Sequence, residues 1–307
     1  MKENWRPILK TARNVLILTH VDPDGDALGS AYFLREILQK IKPKLKVNVL
    51  FDPKHKNELN LFIKKTDTER PALSAVDLII SVDASNISRL YGAKDHKIDI
   101  CIDHHVSAEK FAKINIIDTR AASCTLVVYE LLKELKLKLT KTMAEYLYLG
   151  LVSDTGNFAF ANTDERALAA ALDCVRLGVK PHVIYNKINE QLEYKEVVDF
   201  ARALTKSERH CGGKLVLTGV PRKLRVDNRF LIDFIRRDKH AEVAVVLVDK
   251  KDHIKLSLRS KTDLDVAKIA ARFNGGGHRK AAAGKIFNAT LAEAKKQVVD
   301  YFSKNVF

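Results

Sequence analysis

The chain has 307 residues, and a prior of about 150 residues per domain predicts two domains. Hydrophobic residues make up 46% and charged residues 30%, which excludes a disordered chain, and no aliphatic run approaches the roughly 20 residues of a transmembrane helix. The net charge is +15, and residues 196–307 hold 24 Lys and Arg against 13 Asp and Glu, which weakly favours phosphate-bearing ligands over cationic ones.

The N-terminal two thirds of the chain alternates short β-branched apolar runs with helical patterns, which is typical of a parallel α/β sheet. The predicted strands are residues 15–19, 46–51, 78–82, 98–102 and 113–117. Apolar residues recur at three- and four-residue spacing from Leu28 to Ile41 and predict an amphipathic helix after the first strand. Helical patterns then dominate residues 123–209.

The sequence predicts an N-terminal domain over residues 1–193, a helical linker over 194–211 and a smaller C-terminal α/β domain over 212–307. The elements predicted after the linker are a strand at 214–220, a helix at 228–237, strands at 243–248 and 254–259, a short helix at 266–273, a glycine loop with an Ala-rich segment, and a helix at 291–302. The short polar connection between the two middle strands predicts an antiparallel hairpin.

The cysteines and the N-terminus bear on the cellular compartment. The chain has four cysteines without C-x-x-C spacing, which argues against a zinc ribbon and against a disulfide scaffold. The basic N-terminal segment is not followed by the apolar stretch of a secretory signal. We therefore expect reduced thiols and a cytoplasmic protein.

Metal-capable side chains crowd the loop after the first predicted strand, which reads HVDPDGD from His20 to Asp26. In open α/β sheets, ligands bind at the carboxyl ends of strands, where this loop lies. Pro23 and Gly25 shape a turn that lets Asp24 and Asp26 point toward neighbouring positions. For this loop alone an alternative stays open, in which Asp26 caps the following helix and the other aspartates are ordinary loop residues.

The same placement recurs further along the chain. Asp83 follows the third predicted strand. Asp103, His104 and His105 follow the fourth, and Asp154 closes an apolar helix. Each could be a cap, a turn residue or a buried structural group. Aspartates gathered in one crevice would repel one another, and a bound divalent cation removes that cost, so together they predict a metal site.

Four motifs of the N-terminal part are, in order, HVDPDGDALGS (20–30), SVDAS (81–85), CIDHHVS (101–107) and SDTGNF (153–158), and two motifs of the C-terminal part are KLSLRSK (255–261) and FNGGGHRKAAAG (273–284). The first four resemble the DHH superfamily of phosphoesterases, and the last two resemble the DHH-associated domain. The two-domain length is similar to the RecJ-like group of nanoRNases and pAp phosphatases. The resemblance implies an N-terminal parallel-sheet DHH domain and a smaller C-terminal α/β DHH-associated domain.

The resemblance implies two divalent metal ions, commonly Mn²⁺, and mixed imidazole and carboxylate ligands suit Mn²⁺ better than Mg²⁺. The implied ligands are His20 and Asp24 for the first ion, Asp26, His104 and Asp154 for the second, and Asp83 as a bridge. Two ions roughly 3.5–4 Å apart activate a water molecule for in-line displacement at phosphorus. This arrangement predicts a phosphoester hydrolase.

Asp83, Asp103 and His105 are the predicted catalytic residues. Asp103 would fix the tautomer of a metal-binding histidine. His105 would face the substrate phosphate, where it could neutralise transition-state charge or protonate the leaving group, and an oriented core histidine stays open as the alternative.

The resemblance also implies substrate-binding residues in the C-terminal domain. Gly275, Gly276 and Gly277 let the backbone approach a ligand closely, and His278 follows them. Arg259 suits bidentate contact with a phosphate, so these residues would clamp a second phosphate or a terminal nucleotide. A flexible turn is the plain alternative for the glycines. Two positions depart from the family pattern: Ala283, which adds a third alanine before Gly284, and Ala159, where members often carry a large basic or polar residue.

We therefore expect a Mn²⁺-dependent phosphoesterase that hydrolyses short oligonucleotides and can remove the 3′-phosphate of pAp. Hydrolysis of cyclic or linear dinucleotides such as c-di-AMP and pApA is an alternative, and the sequence does not separate these substrates. An alternative of another class is a catalytically idle nucleotide- or RNA-binding regulator. A pyrophosphatase is disfavoured because the second domain carries GGGH. The resemblance also allows a homodimer.

Overall fold

In the computed structural model of the protein, the described residues are 5–53, 62, 65–68, 72–93 and 96–307. Their packing divides the chain into two compact units, Met1–Gln191 and Leu192–Phe307, which we call unit 1 and unit 2.

Unit 1 is built on a five-stranded parallel sheet. Its strands are β1 (Asn14–Leu18), β2 (Lys46–Leu50), β3 (Leu78–Val82), β4 (Ile100–Asp103) and β5 (Ile114–Ile117). Their order in the sheet is β2-β1-β3-β4-β5. The near-continuous apolar runs of β1, β3 and β4 are typical of parallel strands covered on both faces. The predicted parallel α/β sheet is confirmed.

Six helices accompany this sheet in the described part of unit 1. They are α1 (Arg6–Thr11), α2 (Gly25–Ile41), α3 (Cys124–Glu134), α4 (Lys141–Asp154), α5 (Glu165–Arg176) and α6 (Pro181–Asn189). Side chains cap the first turns of four of them, because Asp24, Ser123, Thr140 and Asp164 accept hydrogen bonds from backbone N–H groups of α2, α3, α4 and α5. These caps fix the residue at which each of these helices begins.

Helices α2 and α4 cross closely, and glycine permits the approach. A Cβ atom at Gly29 would lie 2.5 Å from the carbonyl oxygen of Tyr146, and one at Gly150 would lie 2.3 Å from Thr125 and 2.5 Å from Oδ1 of Asp26. Any larger residue there would push the two helices apart. The crossing brings the first turn of α2, with Asp26, beside the C-terminal turn of α4, with Asp154.

Unit 2 is built on a six-stranded mixed sheet. Its strands are β6 (Glu208–His210), β7 (Leu215–Val220), β8 (Val243–Asp249), β9 (Ile254–Ser260), β10 (Gly276–His278) and β11 (Ala281–Ile286). The order is β10-β11-β9-β8-β7-β6, and of these pairs only β7 and β8 run parallel. The predicted β8–β9 hairpin is confirmed.

Four helices accompany this sheet: α7 (Tyr194–Leu204), α8 (Asn228–Ile235), α9 (Val266–Arg272) and α10 (Leu291–Asn305). Successive residues of β8 alternate between two apolar cores, one shared with α8 and the other with α9 and α10. Residues 194–211, predicted as a linker, contain α7 and β6, and β6 pairs with β7 in this sheet.

The sequence predicts a glycine loop followed by an Ala-rich segment at this point of the chain. In the structure, these residues form the hairpin of β10 and β11. The physical reason is close backbone packing. A Cβ atom at Gly275 would lie 2.0 Å from the carbonyl oxygen of Ala283, and Gly277 has φ +146°, which favours glycine. Gly276 faces open space, since a Cβ atom there would meet nothing within 4 Å.

Among the helices that the structure describes, none combines the length and the apolar character needed to cross a bilayer.

Candidate metal centre

The predicted metal-binding side chains of unit 1 lie together at the carboxyl ends of its parallel strands. His20 follows β1, Asp83 follows β3, and His104 follows β4. Asp83 has φ +56°, a left-handed conformation that is uncommon outside glycine but tolerated by Asp and Asn. Its backbone N–H donates to the carbonyl oxygen of Ile102 at 3.0 Å, which ties the turn after β3 to the neighbouring strand.

One group of possible ligands contains His20, Asp24 and Asp83, whose donor atoms all lie within 4.8 Å of one another. Nε2 of His20 is 3.9 Å from Oδ1 of Asp24 and 3.6 Å from Oδ2 of Asp83. Nδ1 of the same ring is 2.8 Å from the carbonyl oxygen of Val21. A proton on Nδ1 therefore leaves Nε2 as a lone-pair donor that faces the two carboxylates.

A second group contains Asp26, His104 and Asp154, again within 4.8 Å. Nε2 of His104 is 3.1 Å from Oδ2 of Asp154 and 3.8 Å from Oδ2 of Asp26. Nδ1 is 3.1 Å from the carbonyl oxygen of Ala121, so the ring is oriented in the same way as that of His20.

Asp83 faces both groups with different oxygens. Its Oδ2 is 3.6 Å from Nε2 of His20, and its Oδ1 is 3.6 Å from Nε2 of His104. The six residues are thus brought together with Asp83 in the middle. Their assignment as ligands stays a prediction.

The residues fit a divalent cation because buried donor atoms converge there without hydrogen-bond partners. Oδ1 of Asp83 and Nε2 of His104 are both buried and make no hydrogen bond. An unsatisfied buried polar atom costs free energy, and a cation bound between them would satisfy both. Carboxylate oxygens and neutral imidazole nitrogens are ligands that divalent metals accept.

The crowding shifts the pKa values of these groups. Burial, and then the negative charges of Asp83 and Asp154, raise the pKa of Asp26 well above its usual value. Burial raises the pKa of Asp154 to about 6, although the imidazole of His104, whose Nε2 lies 3.1 Å from Oδ2 of Asp154, opposes the shift. Burial lowers the pKa of His104, but the carboxylates of Asp154, Asp26 and Asp83 outweigh it and raise the pKa well above its ordinary value. The pocket therefore favours added positive charge.

Asp26 is held by the N-terminus of α3, a contact that the sequence analysis missed. Its Oδ1 accepts from the N–H of Thr125 at 3.0 Å, and its Oδ2 accepts from the N–H of Cys124. The alternative in which Asp26 caps α2 is wrong, because Asp24 accepts from the N–H groups of that first turn instead. Ser123, a typical N-cap residue before an apolar run, was the available sequence signal for the start of α3.

Asp103 holds a different histidine from the one expected. Its Oδ1 lies 2.8 Å from Nδ1 of His105 and accepts from the backbone N–H of His104 at 2.8 Å. The ring of His104 is instead positioned by Ala121. Burial lowers the pKa of His105, but the hydrogen bond with Asp103 and the charge of Asp83 raise it above its ordinary value. Asp83, Asp103, His104 and His105 also form a donor cluster within 4.8 Å.

The predicted substrate-binding residues of the C-terminal part lie in unit 2. Arg259 is half-buried in β9, where its Nη1 donates to the carbonyl oxygen of Leu258 at 3.1 Å. Burial lowers the pKa of Arg259. Arg259 is paired with Ala281 of β11, and Ala281 is paired with His278 of β10. The side chain of His278 lies outside the described part of the structure, and the roles of Arg259, Gly275, Gly276, Gly277 and His278 stay predictions.

Comparison with known proteins gives a consistent result. Residues 14–151 match the DHH family, N-terminal domain, and residues 226–305 match the DHHA1 domain. The chain is 28% identical over 293 residues to the bifunctional oligoribonuclease and PAP phosphatase NrnA of Thermus thermophilus. The aligned region covers 93% of this chain and 88% of that protein.

Two solved structures share the fold. An exopolyphosphatase-related protein from Bacteroides fragilis superposes with a TM-score of 0.86 at 23% identity, covering 96% of this chain and 94% of that one. RecJ from Thermus thermophilus in complex with Mn²⁺ superposes with a TM-score of 0.59 at 14% identity, covering 97% of this chain and 53% of that one. At these identities the likeness shows the fold alone.

Proposed function

The chain belongs to the DHH superfamily of phosphoesterases, and on that premise we propose that it is a two-metal hydrolase of short oligonucleotides that also removes the 3′-phosphate of pAp. The observation that carries the proposal is the position of Asp83, with one carboxylate oxygen 3.6 Å from Nε2 of His20 and the other 3.6 Å from Nε2 of His104. A bridging carboxylate between two imidazole-containing groups suits two neighbouring cations.

The proposed ligands are His20 and Asp24 for one cation, Asp26, His104 and Asp154 for the other, and Asp83 for both. Two divalent cations held there would lower the pKa of an attacking water and neutralise charge on the phosphoester. Mixed nitrogen and oxygen ligands favour Mn²⁺ over Mg²⁺, so we propose Mn²⁺ as the metal. RecJ of the same fold was solved with Mn²⁺ and also with Mg²⁺, which supports a divalent cation at this site.

The protein's own contribution is to orient groups around the scissile phosphate. The carbonyl oxygens of Val21 and Ala121 hold the rings of His20 and His104 with Nε2 directed at the carboxylates. The 2.8 Å contact between Asp103 and Nδ1 of His105 directs Nε2 of that ring away from Asp103. We assign His105 the role of donating a proton to the leaving oxygen.

For unit 2 we propose that Arg259 contacts a substrate phosphate through its guanidinium group, with Gly276 and His278 beside it. Arg259 lies on the same sheet as β10, and Ala281 is its partner on the intervening strand. Gly276 faces open space, which leaves its backbone accessible to a ligand. Gly275 and Gly277 are accounted for by packing against β11, so their part in this proposal is to bring β10 close to that strand.

The substrate class is supported by the relative at 28% identity, which is named as an oligoribonuclease and a PAP phosphatase. Hydrolysis of c-di-AMP or pApA needs the same metal chemistry and differs only in what flanks the phosphate. Comparing these substrates therefore decides the assignment within the proposed class.

The test compares a five-nucleotide RNA, pApA, c-di-AMP, pAp and pyrophosphate at one Mn²⁺ concentration. We expect hydrolysis of the RNA and of pAp, and near-complete loss of both in Asp83→Asn. The matched control is Asp67→Asn, since Asp67 is a buried carboxylate of unit 1 that accepts from Tyr32 and belongs to none of the three donor groups. Absence of hydrolysis of every nucleotide by the wild type, with RNA binding retained in Asp83→Asn, would instead support the idle regulator.

We also propose that the chain forms a homodimer through α5. Leu168, Leu172 and Val175 are exposed and lie along one side of this helix. In an antiparallel pair of α5 helices, Glu165 near one end would lie opposite Arg176 of the second copy. Sedimentation of the wild type should give a dimer and Leu172→Lys a monomer, and a monomeric wild type at all concentrations would contradict the proposal.

A further inference from the structure

Loops that carry the candidate ligands also expose large apolar side chains, which metal binding does not require. Val21 follows His20 and is 40% exposed, and Val106 follows His105 and is 84% exposed. Phe160 follows Asp154 by six residues and is 44% exposed. Exposed apolar groups beside a polar centre suggest a ligand that has an apolar part as well as a phosphate.

Phe160 is held close to the end of α4 by its backbone. Its N–H donates to the carbonyl oxygen of Thr155, the residue after Asp154, at 2.9 Å. Nδ2 of Asn162 donates to the carbonyl oxygens of Asp154 and Ala122 at 3.1 and 3.0 Å. Phe160 therefore lies in a loop that is fastened at both sides to the neighbourhood of the second ligand group.

The turn that leads to Phe160 is conformationally unusual. Gly156, Asn157 and Phe158 have φ values of +57°, +56° and +64°. Left-handed residues in succession, with a bulky phenylalanine among them, are costly and occur where a structure needs them. The hydroxyl of Thr155 stabilises this turn, since it accepts from the N–H of Phe158 at 2.9 Å and donates to the carbonyl oxygen of Leu151 at 2.6 Å.

The turn separates two phenylalanines. The ring of Phe158 packs inward, with its centroid 5.9 Å from that of Tyr148. The ring of Phe160 returns over Gly156, where a Cβ atom would lie 2.4 Å from Cζ and 2.6 Å from both Cε atoms. Such nearly equal distances place Gly156 beneath the face of the ring rather than at its edge. Phe160 is thus a flat side chain supported from below and exposed to solvent.

From this arrangement we propose that Phe160 stacks on a nucleobase of the substrate whose phosphate binds at the metal centre. The proposal rests on the proposed function and adds to it the residue that distinguishes a nucleotide from a phosphate without a base. Stacking on an aromatic ring accepts every base, because each base has a π-face. Phe160 would therefore select for nucleotides without selecting a base sequence.

The experiment compares a diribonucleotide with its abasic counterpart, in which two riboses share the same phosphodiester, at saturating Mn²⁺. For Phe160→Ala, we expect the KM of the diribonucleotide to rise about 5- to 50-fold. The KM of the abasic compound should stay within twofold of the wild-type value. Phe160→Tyr should restore the diribonucleotide KM, because the aromatic face is retained. Phe287→Ala, which removes a phenylalanine of similar exposure in unit 2, is the control and should change neither.

Failure of the stacking role and failure of the proposed function are distinguishable. Equal changes of KM for both compounds, or no change for either, overturn the stacking role while the hydrolase remains. Failure of the wild type to hydrolyse the diribonucleotide overturns the proposed function.

If Phe160→Ala does not fold, Phe160→Leu replaces it, and the fluorescence of a bound 2-aminopurine dinucleotide should be quenched in the wild type but not in Phe160→Leu. Equal quenching in both proteins would contradict the proposal.

Discussion

The backbone N–H of Thr125 donates a hydrogen bond to Oδ1 of Asp26, and this contact joins the first turns of α3 and α2 across 99 positions of sequence. The same oxygen would lie 2.5 Å from a Cβ atom added at Gly150. The orientation of a predicted ligand thus depends on a glycine in a third helix, α4.

Replacing Gly150 by alanine should disturb this contact. We expect Gly150→Ala to lower the free energy of unfolding by about 1–3 kcal/mol through overpacking. We also expect it to weaken Mn²⁺ binding by about 10- to 100-fold, because the atoms displaced orient a ligand. Isothermal titration with Mn²⁺ measures the second effect.

Gly178→Ala provides the control for Gly150→Ala. Gly178 has φ +86°, but a Cβ atom there would meet nothing within 4 Å. The substitution should cost about 1–2 kcal/mol of stability through backbone strain and leave Mn²⁺ affinity unchanged. Equal affinity losses in both variants would show that lower stability alone weakens binding.

Chelation should reveal the repulsion among Asp26, Asp83 and Asp154. A cation at 100 times its dissociation constant adds about 2.7 kcal/mol of stability, which raises the melting temperature by about 2–4 °C per kcal/mol for a unit of this size. In EDTA, Asp83→Asn should be more stable than the wild type by about 1 kcal/mol, because one negative charge is removed. Asn tolerates the left-handed backbone of position 83, which keeps the comparison clean.

Adding Mn²⁺ should reverse that ranking. The wild type should gain stability and Asp83→Asn should gain little, as differential scanning calorimetry with EDTA and with Mn²⁺ would show. A variant that is less stable than the wild type in EDTA, or that gains equally from Mn²⁺, would argue against Asp83 as the shared ligand.

Asp118 provides a pH-dependent test away from the metal centre. Burial raises the pKa of this carboxyl, but the N–H of Arg120 and the guanidinium of Arg166, 2.9 Å away, outweigh it and hold the pKa below its usual value. A depressed pKa stabilises the fold at pH values above the usual range of Asp, near 4, and this contribution is lost as the pH falls through the folded value.

Between pH 5 and pH 3 the melting temperature of Asp118→Asn should therefore fall less steeply than that of the wild type. The contribution of this ion pair to the free energy of unfolding should be under about 1 kcal/mol, because the side chains of Asp118 and Arg166 are both partly exposed. Glu130→Gln, which removes the carboxylate paired with Lys133 on α3, serves as a surface control. Identical slopes for the wild type and Asp118→Asn would contradict the assigned ion pair.

The strand ends were predictable because parallel strands bring their carboxyl ends to one edge of a sheet. His20, Asp83 and His104 follow three neighbouring strands, so topology alone predicts that they lie together. Asp154 was predicted with them from its place at the end of an apolar helix, but the close crossing of α2 and α4 that brings it beside Asp26 could not be derived from the sequence.

The role of the glycine run and the histidine that Asp103 contacts could not be predicted from the sequence, because each local pattern is compatible with more than one structure. A glycine run serves a ligand-binding loop or tight strand pairing equally well, and at Gly275 and Gly277 the close neighbours are atoms of β11. The sequence could not decide which imidazole Asp103 holds, since His104 and His105 are adjacent and only the turn after β4 selects between them.

The contact between Asp103 and His105 separates a proton-donating role from a ligand role for His105. If His105 is a proton donor, the substitution His105→Asn should reduce kcat by about 10²- to 10⁴-fold and leave Mn²⁺ affinity within a few-fold of the wild-type value. Asp103→Asn should also reduce kcat, because the ring loses the acceptor at 2.8 Å that orients it. His253→Asn, in unit 2, is the control and should change neither quantity. If His105→Asn instead weakens Mn²⁺ binding in proportion to its loss of activity, then His105 is a metal ligand within the cluster that it forms with Asp83, Asp103 and His104.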